Sequence, residues 1–250
     1  MNVTIFILIT FCFFIASNTA FSDTLKSRLV FGIVNIHPFG CEPNSSAPTC
    51  FQNLYIKQLE EKTGLQFSLY AMPLSRAIHA LENQKIDLLI TFDEPEVRAS
   101  SNAIIKTFSF DYVLITTNPD FMDVSLKKQH VGILRGVHHL PVSDKLKGMT
   151  LHLSNDYEQL FGMLKKQRVE AIIVPAPYLK ETLIKAGLGG LKIFQPIGQW
   201  RLDLTLFCSK DMCDPLTITK LRSAVEKISQ QEAMQMFHYV LLANNLLDKN

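Results

Sequence analysis

The sequence predicts an α/β protein built as two α/β lobes joined by a two-strand hinge. Three observations carry this. Short β-branched runs alternate with amphipathic stretches from Leu29 to Thr91; the same alternation restarts at Val131; and long extended runs at 108–117 and about 195–209 lie between and after the two sets. Strand, helix, strand, helix, strand within about 65 residues implies βαβ units and a parallel sheet.

The elements follow in order. Val3–Ala16 is nearly continuous apolar sequence, interrupted only by Thr4 and Thr10, and no acidic or basic residue precedes Asp23. The run falls about half a dozen residues short of the roughly 20 that span a bilayer. Small residues follow, and Ala20-Phe21-Ser22 fits a cleavage site, so residues 1–22 are expected to be a secretory signal peptide. The segment before the apolar run lacks Lys and Arg, which leaves an uncleaved anchor as the alternative. The mature chain is then exported to the periplasm.

Leu29–Ile36 reads as a buried strand, ended by His37-Pro38. Gly40–Thr49 is a polar loop bracketed by Cys41 and Cys50. Asn53–Thr63 reads as a helix stopped by Gly64, Leu65–Tyr70 as a strand, Leu74–Asn83 as a helix opened by Pro73, and Ile86–Thr91 as a third strand. The acids and Arg98 that follow are placed on a loop. In the second set, Val131–Leu134, Met149–Leu153 and Glu170–Val174 are strands; Asp156–Lys166 and Pro177–Ala186 are helices. Leu202–Ser209 is extended and Ile218–Val240 is helical in two pieces. If the long runs are crossovers, lobe 1 is 23–113 plus 205–250 and lobe 2 is 114–204, with a ligand cleft between them.

The net charge of +2 without a basic block argues against nucleic acid. The mature chain keeps four cysteines, Cys41, Cys50, Cys208 and Cys213, an even number that in an exported protein suggests disulfides. The sequence-local pairing is Cys41–Cys50 with Cys208–Cys213; their spacing matches zinc sites poorly. No nucleophile elbow, zinc-protease or phosphate-loop motif is present, so the expectation is a binder and not an enzyme, without cofactor or metal.

The ordered set "LVFGIVNIHPF", "LEEKTGLQFSL", "LENQKIDLLIT" and "EVRASSNAIIKTFSFDYVLIT", echoed by "VGILRGVHH" and "LKKQRVEAIIV", resembles the bacterial periplasmic solute-binding proteins of family 3, the polar amino acid receptors of ABC importers. The phrase "MPLSRAIHAL" is similar to a divergent branch of that family. The resemblance implies a type II periplasmic binding protein that closes like a flytrap on a small solute. It implies a monomer that docks to an inner-membrane ABC permease, or to a membrane sensor if the role is signalling. A cyclohexadienyl-dehydratase-like enzyme on the same fold is a further alternative.

The resemblance also nominates residues. Arg98 would clamp the ligand's carboxylate, since a planar guanidinium matches two oxygens and stays charged when desolvated; a neighbouring loop acid is its other possible partner. Thr91 and Asp93 would flank the same group. His37 and Phe39 follow the first strand, where the family has an aromatic wall. His138 follows Gly136 in the second lobe. Arg76 would lie near the cleft mouth and, with Arg98, suit an anionic ligand. Trp200 lies by the second crossover. Pro175 occupies the position where the amino acid receptors carry an aspartate for the α-ammonium, which speaks against an ordinary amino acid ligand; Glu158 or Asp203 could substitute. Tyr157 is expected in the core.

Overall fold

The structure is a computed structural model; it describes residues 28–43, 49–118, 121, 129–137, 146–179 and 200–247. The expected signal peptide, His138 and most of the helix expected at Pro177–Ala186 lie outside the described residues.

Eight strands form one curled sheet in the order β2-β1-β3-β8-β4-β7-β5-β6. The strands are β1 (Leu29–Val34), β2 (Phe67–Met72), β3 (Leu88–Phe92), β4 (Ser101–Thr116), β5 (His130–Leu134), β6 (Thr150–Ser154), β7 (Ala171–Pro175) and β8 (Trp200–Ser209). The helices are α1 (Phe51–Thr63), α2 (Leu74–Glu82), α3 (Pro95–Ser100), α4 (Tyr157–Lys165), α5 (Pro215–Glu226) and α6 (Gln230–Leu247), with a 3-10 turn at Ala176–Tyr178.

Two parallel triplets, β2-β1-β3 and β7-β5-β6, sit at the two ends. Parallel pairing needs crossover connections, usually helical; α1 and α2 supply them in the first triplet, and α4 links β6 to β7 in the second. Between them run β4 and β8, antiparallel to each other and to their outer neighbours. The first part of β4 pairs with β8 and its last residues, Tyr112–Thr116, pair with β7, so one long strand belongs to both halves. The two-lobed α/β architecture is therefore carried by two strands that cross from one half to the other.

The central strands are buried on both faces: every residue of β3 and of β7 is buried. That explains their continuous apolar runs. The core of the first half is aromatic. Phe51 packs edge-on against Phe108, and Phe110 meets both Phe108 and Phe237 at 5.2 Å between centroids. Such edge-to-face pairs add roughly 0.5–1.5 kcal/mol each beyond their area burial.

The placement of Arg98 on a loop is corrected. Pro95 at the first helical position and Glu96 in the first turn start a short helix, and Arg98 lies in its last turn.

Candidate functional site

A cavity of about 440 Å³, counting its open mouth, lies between the two halves. It gathers at the carboxyl ends of the strands, where ligands bind in open α/β sheets. From the first half come Val34 at the end of β1, Ile36 just after it, Phe39, Gln52 of α1, Leu74 of α2, and Ile90, Thr91 and Phe92 of β3. The crossing strands supply Phe110, Tyr112 and Leu204, and the second half supplies Leu134 and Tyr157. Among the described residues, no Asp, Glu, Lys or Arg lines it.

Local structure explains the placements. After β1 the chain folds back so tightly that a Cβ on Gly40 would stand 2.3 Å from the Val34 carbonyl oxygen, so only glycine fits there. The Cys41–Cys50 pair, with Cα atoms 5.9 Å apart, ties this loop to the start of α1. The Phe51 N–H donates to Pro38 and the Gln52 N–H to Phe39. Phe39 is thereby held against Phe110, Phe237 and Tyr157. Gln52, itself buried, links the strand ends: its amide oxygen accepts from the Val34 N–H at 2.9 Å and its amide nitrogen donates to the Ile90 carbonyl at 3.4 Å.

Besides the Gln52 amide, three hydroxyls define what the cavity can hold. The Thr91 hydroxyl is buried without a hydrogen-bond partner. Most buried polar groups are paired, so this one calls for an explanation. On the far side, the Tyr112 and Tyr157 hydroxyls meet at 3.4 Å. Burial pushes the Tyr112 phenol above its ordinary pKa, against the smaller opposing effect of the Tyr157 bond, so Tyr112 stays neutral.

The nominated residues separate into groups. Thr91 and Phe39 line the cavity. Arg98 is exposed and does not line it; its guanidinium grips the Asp93 carboxylate with two hydrogen bonds. That bond raises the Arg98 pKa further above its ordinary value. His37, which follows β1 and is joined to Pro38 by a cis bond, is exposed and shares a 2.9 Å hydrogen bond with Asn244 of α6. Arg76 lines a different groove, outside β2 and α2. Pro175 ends β7 and is buried, and both Pro175 and Trp200 stand opposite Tyr112 in the register of the crossing strands.

Asp203 is not free to serve as an ammonium partner. It binds Lys106 and the Ser109 hydroxyl, each at 2.7 Å, and partial burial notwithstanding, those bonds hold its pKa below the ordinary value. Glu158 is exposed and outside the cavity lining. Cys208 and Cys213 lie at disulfide distance, Cα to Cα 6.3 Å, as Cys41 and Cys50 do.

Gln52, Phe92, Tyr112 and Tyr157 were not nominated from the sequence. Tyr157 is buried as expected, yet its ring also closes the cavity. A signal for Gln52 was available: a polar residue in the first turn of a helix, one after Phe51 and one turn ahead of the buried Tyr55 and Ile56, sits on a buried face and must find partners.

No protein-family model and no curated protein matches the chain. Solved structures do, at low identity. An amino acid ABC transporter substrate-binding protein of Streptococcus pneumoniae bound to L-arginine superposes with a TM-score of 0.69 at 16% identity, covering 88% of this chain and 96% of its own. The periplasmic VFT2 domain of Bordetella pertussis BvgS gives 0.65 at 13%, covering 85% and 93%. An ancestral amino acid-binding protein, described as a precursor of cyclohexadienyl dehydratase, gives 0.67 at 13%, covering 86% and 96%. Together with the two parallel triplets, the crossing strands and the cavity between them, these likenesses show that the chain has the two-lobed Venus flytrap fold of periplasmic solute-binding proteins.

Proposed function

We propose that the chain is an exported solute-binding protein that closes its lobes on a small carboxylic acid with an apolar body and presents it to an ABC-type transporter in the inner membrane. The lobes in this reading are 23–113 plus 205–250 and 114–204, with residues 1–22 removed on export. The observation that carries the reading is the cavity itself. It lies at the strand ends, is lined from both halves by aromatic and aliphatic side chains, and holds one unpaired hydroxyl.

That lining suits an apolar body and one hydrogen-bonding group on Thr91. Among the described residues it offers no carboxylate to an ammonium, since Pro175 is no acid and Asp203 is engaged by Lys106. Burying an unpaired ammonium there would be costly. A carboxylate belongs at the rim, where Arg98 would exchange Asp93 for the ligand. The same lining supports binding over catalysis, since among the described residues it presents no charged general acid or base to a reacting group.

The test is a thermal-shift screen on the mature protein with carboxylic acids of graded apolar size, beside their neutral amides and the matching α-amino acids. A ligand at 100-fold over its dissociation constant adds roughly 2.7 kcal/mol of stability. The acids should shift the melting temperature most, and Arg98→Ala should remove their advantage over the amides. A shift that favours the amino acids, or survives Arg98→Ala unchanged, would sink the carboxylate assignment. A screen in which only amides shift the protein would keep the cavity as the site and remove Arg98 from it.

A further inference from the structure

The two halves of the molecule repeat each other to the level of single hydrogen bonds. Val30 and Asp87 exchange two: the Asp87 N–H donates to the Val30 carbonyl, and the Val30 N–H donates to the Asp87 carboxylate. His130 and Glu170 make the same two bonds. Gln84 and Gln167, each three residues before those acids, both take positive φ, 56° and 53°. Gly32 stands opposite Tyr70, and Gly132 opposite His152. The repeat therefore matches Lys85 with Arg168, and Tyr70 with His152.

At equivalent places, outside the edge strand and beside the crossover helix, each half has a groove. The first, between β2 and α2, has an open volume of about 1230 Å³, and Tyr70, Arg76, His79 and Lys85 line it over Met72 and Ile86. The second, between β6 and α4, has about 800 Å³, and His152, Lys166 and Arg168 line it beside Leu153 and Met163. Among the described residues, no Asp or Glu lines either groove. Arg76, Lys85, Lys166 and Arg168 are exposed, and their charged groups make no hydrogen bond or ion pair among the described residues. The acid at the margin of the first is Glu82, 3.7 Å from His79. In the second, His130 and His152 face each other at 2.7 Å through ring nitrogens, so one of those nitrogens donates and the other accepts.

We propose that these twin basic grooves are a docking surface for acidic segments of the membrane partner, one groove for each lobe. The proposal rests on the binding-protein reading only for where the partner resides. The occupant is a protein segment carrying Asp or Glu around an apolar anchor. Unpaired cations over an apolar floor complement such a segment. The concave shape and the low net charge of +2 fit a flat anionic lipid surface less well. Because β2 and β6 are the two ends of the sheet, a partner that fills both grooves reads the separation of the lobes.

The probe is a short fluorescein-labelled peptide that alternates glutamate pairs with single leucines, followed by anisotropy at low salt. Arg76→Ser with Lys85→Ser, and separately Lys166→Ser with Arg168→Ser, should each weaken one of the two sites roughly fivefold, the scale of two exposed ion pairs, and so remove a little under half of the peptide binding. All four together should lower it about fivefold, and added salt should weaken the wild type likewise. A control with Lys57→Ser and Lys220→Ser removes the same charge outside the grooves and should bind as wild type. The proposal fails if the control weakens binding as much, if the wild type does not bind the peptide, or if only phosphatidylglycerol vesicles bind. The groove variants should keep the solute-dependent thermal shift, so a failed solute screen leaves the peptide result standing, and a failed peptide result leaves the screen standing.

Discussion

Thr91 is where the site and the stability of the fold meet. Its hydroxyl is buried and unpaired, and leaving such a group unsatisfied costs about 1–3 kcal/mol. Thr91→Val keeps the shape and removes the cost. The solute-free protein should therefore melt at the same or a higher temperature, while the solute-dependent shift shrinks. A variant that loses stability without solute would show that the hydroxyl is already satisfied. Thr91 and Phe39 were legible in the sequence because the resemblance places ligand-facing residues at the end of the third strand and just after the first. Tyr112 and Gln52 were not, since their neighbours across the cavity lie more than thirty residues away in the chain. Arg98 shows the opposite limit. Its type and position were legible, but the choice between a ligand and Asp93 depends on side-chain geometry, and in this structure Asp93 holds it.

Among the elements, the start of α5 gives the cleanest test. The Asp214 carboxylate accepts from the Leu216 and Thr217 N–H groups and from the Thr217 hydroxyl, and Pro215 takes the first helical position. Asp214→Ala should cost about 1 kcal/mol in urea unfolding, the usual worth of such a cap. The Thr217 bonds hold the Asp214 carboxyl below its ordinary pKa. The cap's contribution is therefore complete above the unfolded-state pKa and is lost as pH falls through the lower folded one. The difference between wild type and Asp214→Ala should vanish on that acid side, and a difference that persists there would exclude the carboxylate as its source. The Asp-Pro pair advertised this helix start, although the apolar period alone set it at Ile218. The opposite happened at β4. Register shifts between Ala103 and Ile105 and between Lys106 and Phe108 break the alternation, so the strand read from sequence began at Phe108 instead of Ser101.

For the molecule as a whole, two lobes and their linking strands could be read from the repeated βαβ pattern, because local periodicity sets each strand and helix. How closely the lobes approach each other is set by contacts that no periodicity reports. One such contact is Gly136, just beyond β5, against Leu74 at the start of α2. Gly136 has φ of 94°, and a Cβ there would lie 2.5 Å from a methyl carbon of Leu74, itself a cavity-lining residue. Gly136→Ala should hold the halves apart. A larger radius of gyration in solution scattering and a weaker solute-dependent shift should appear together. The backbone penalty of a positive φ, about 1 kcal/mol, would be present whatever Leu74 does. Leu74→Ala separates the two causes: added to Gly136→Ala, it should bring the radius back toward that of the wild type if the clash opens the cleft. If the double variant stays expanded, backbone strain at Gly136 is responsible, and the approach of Leu74 to Gly136 does not govern closure.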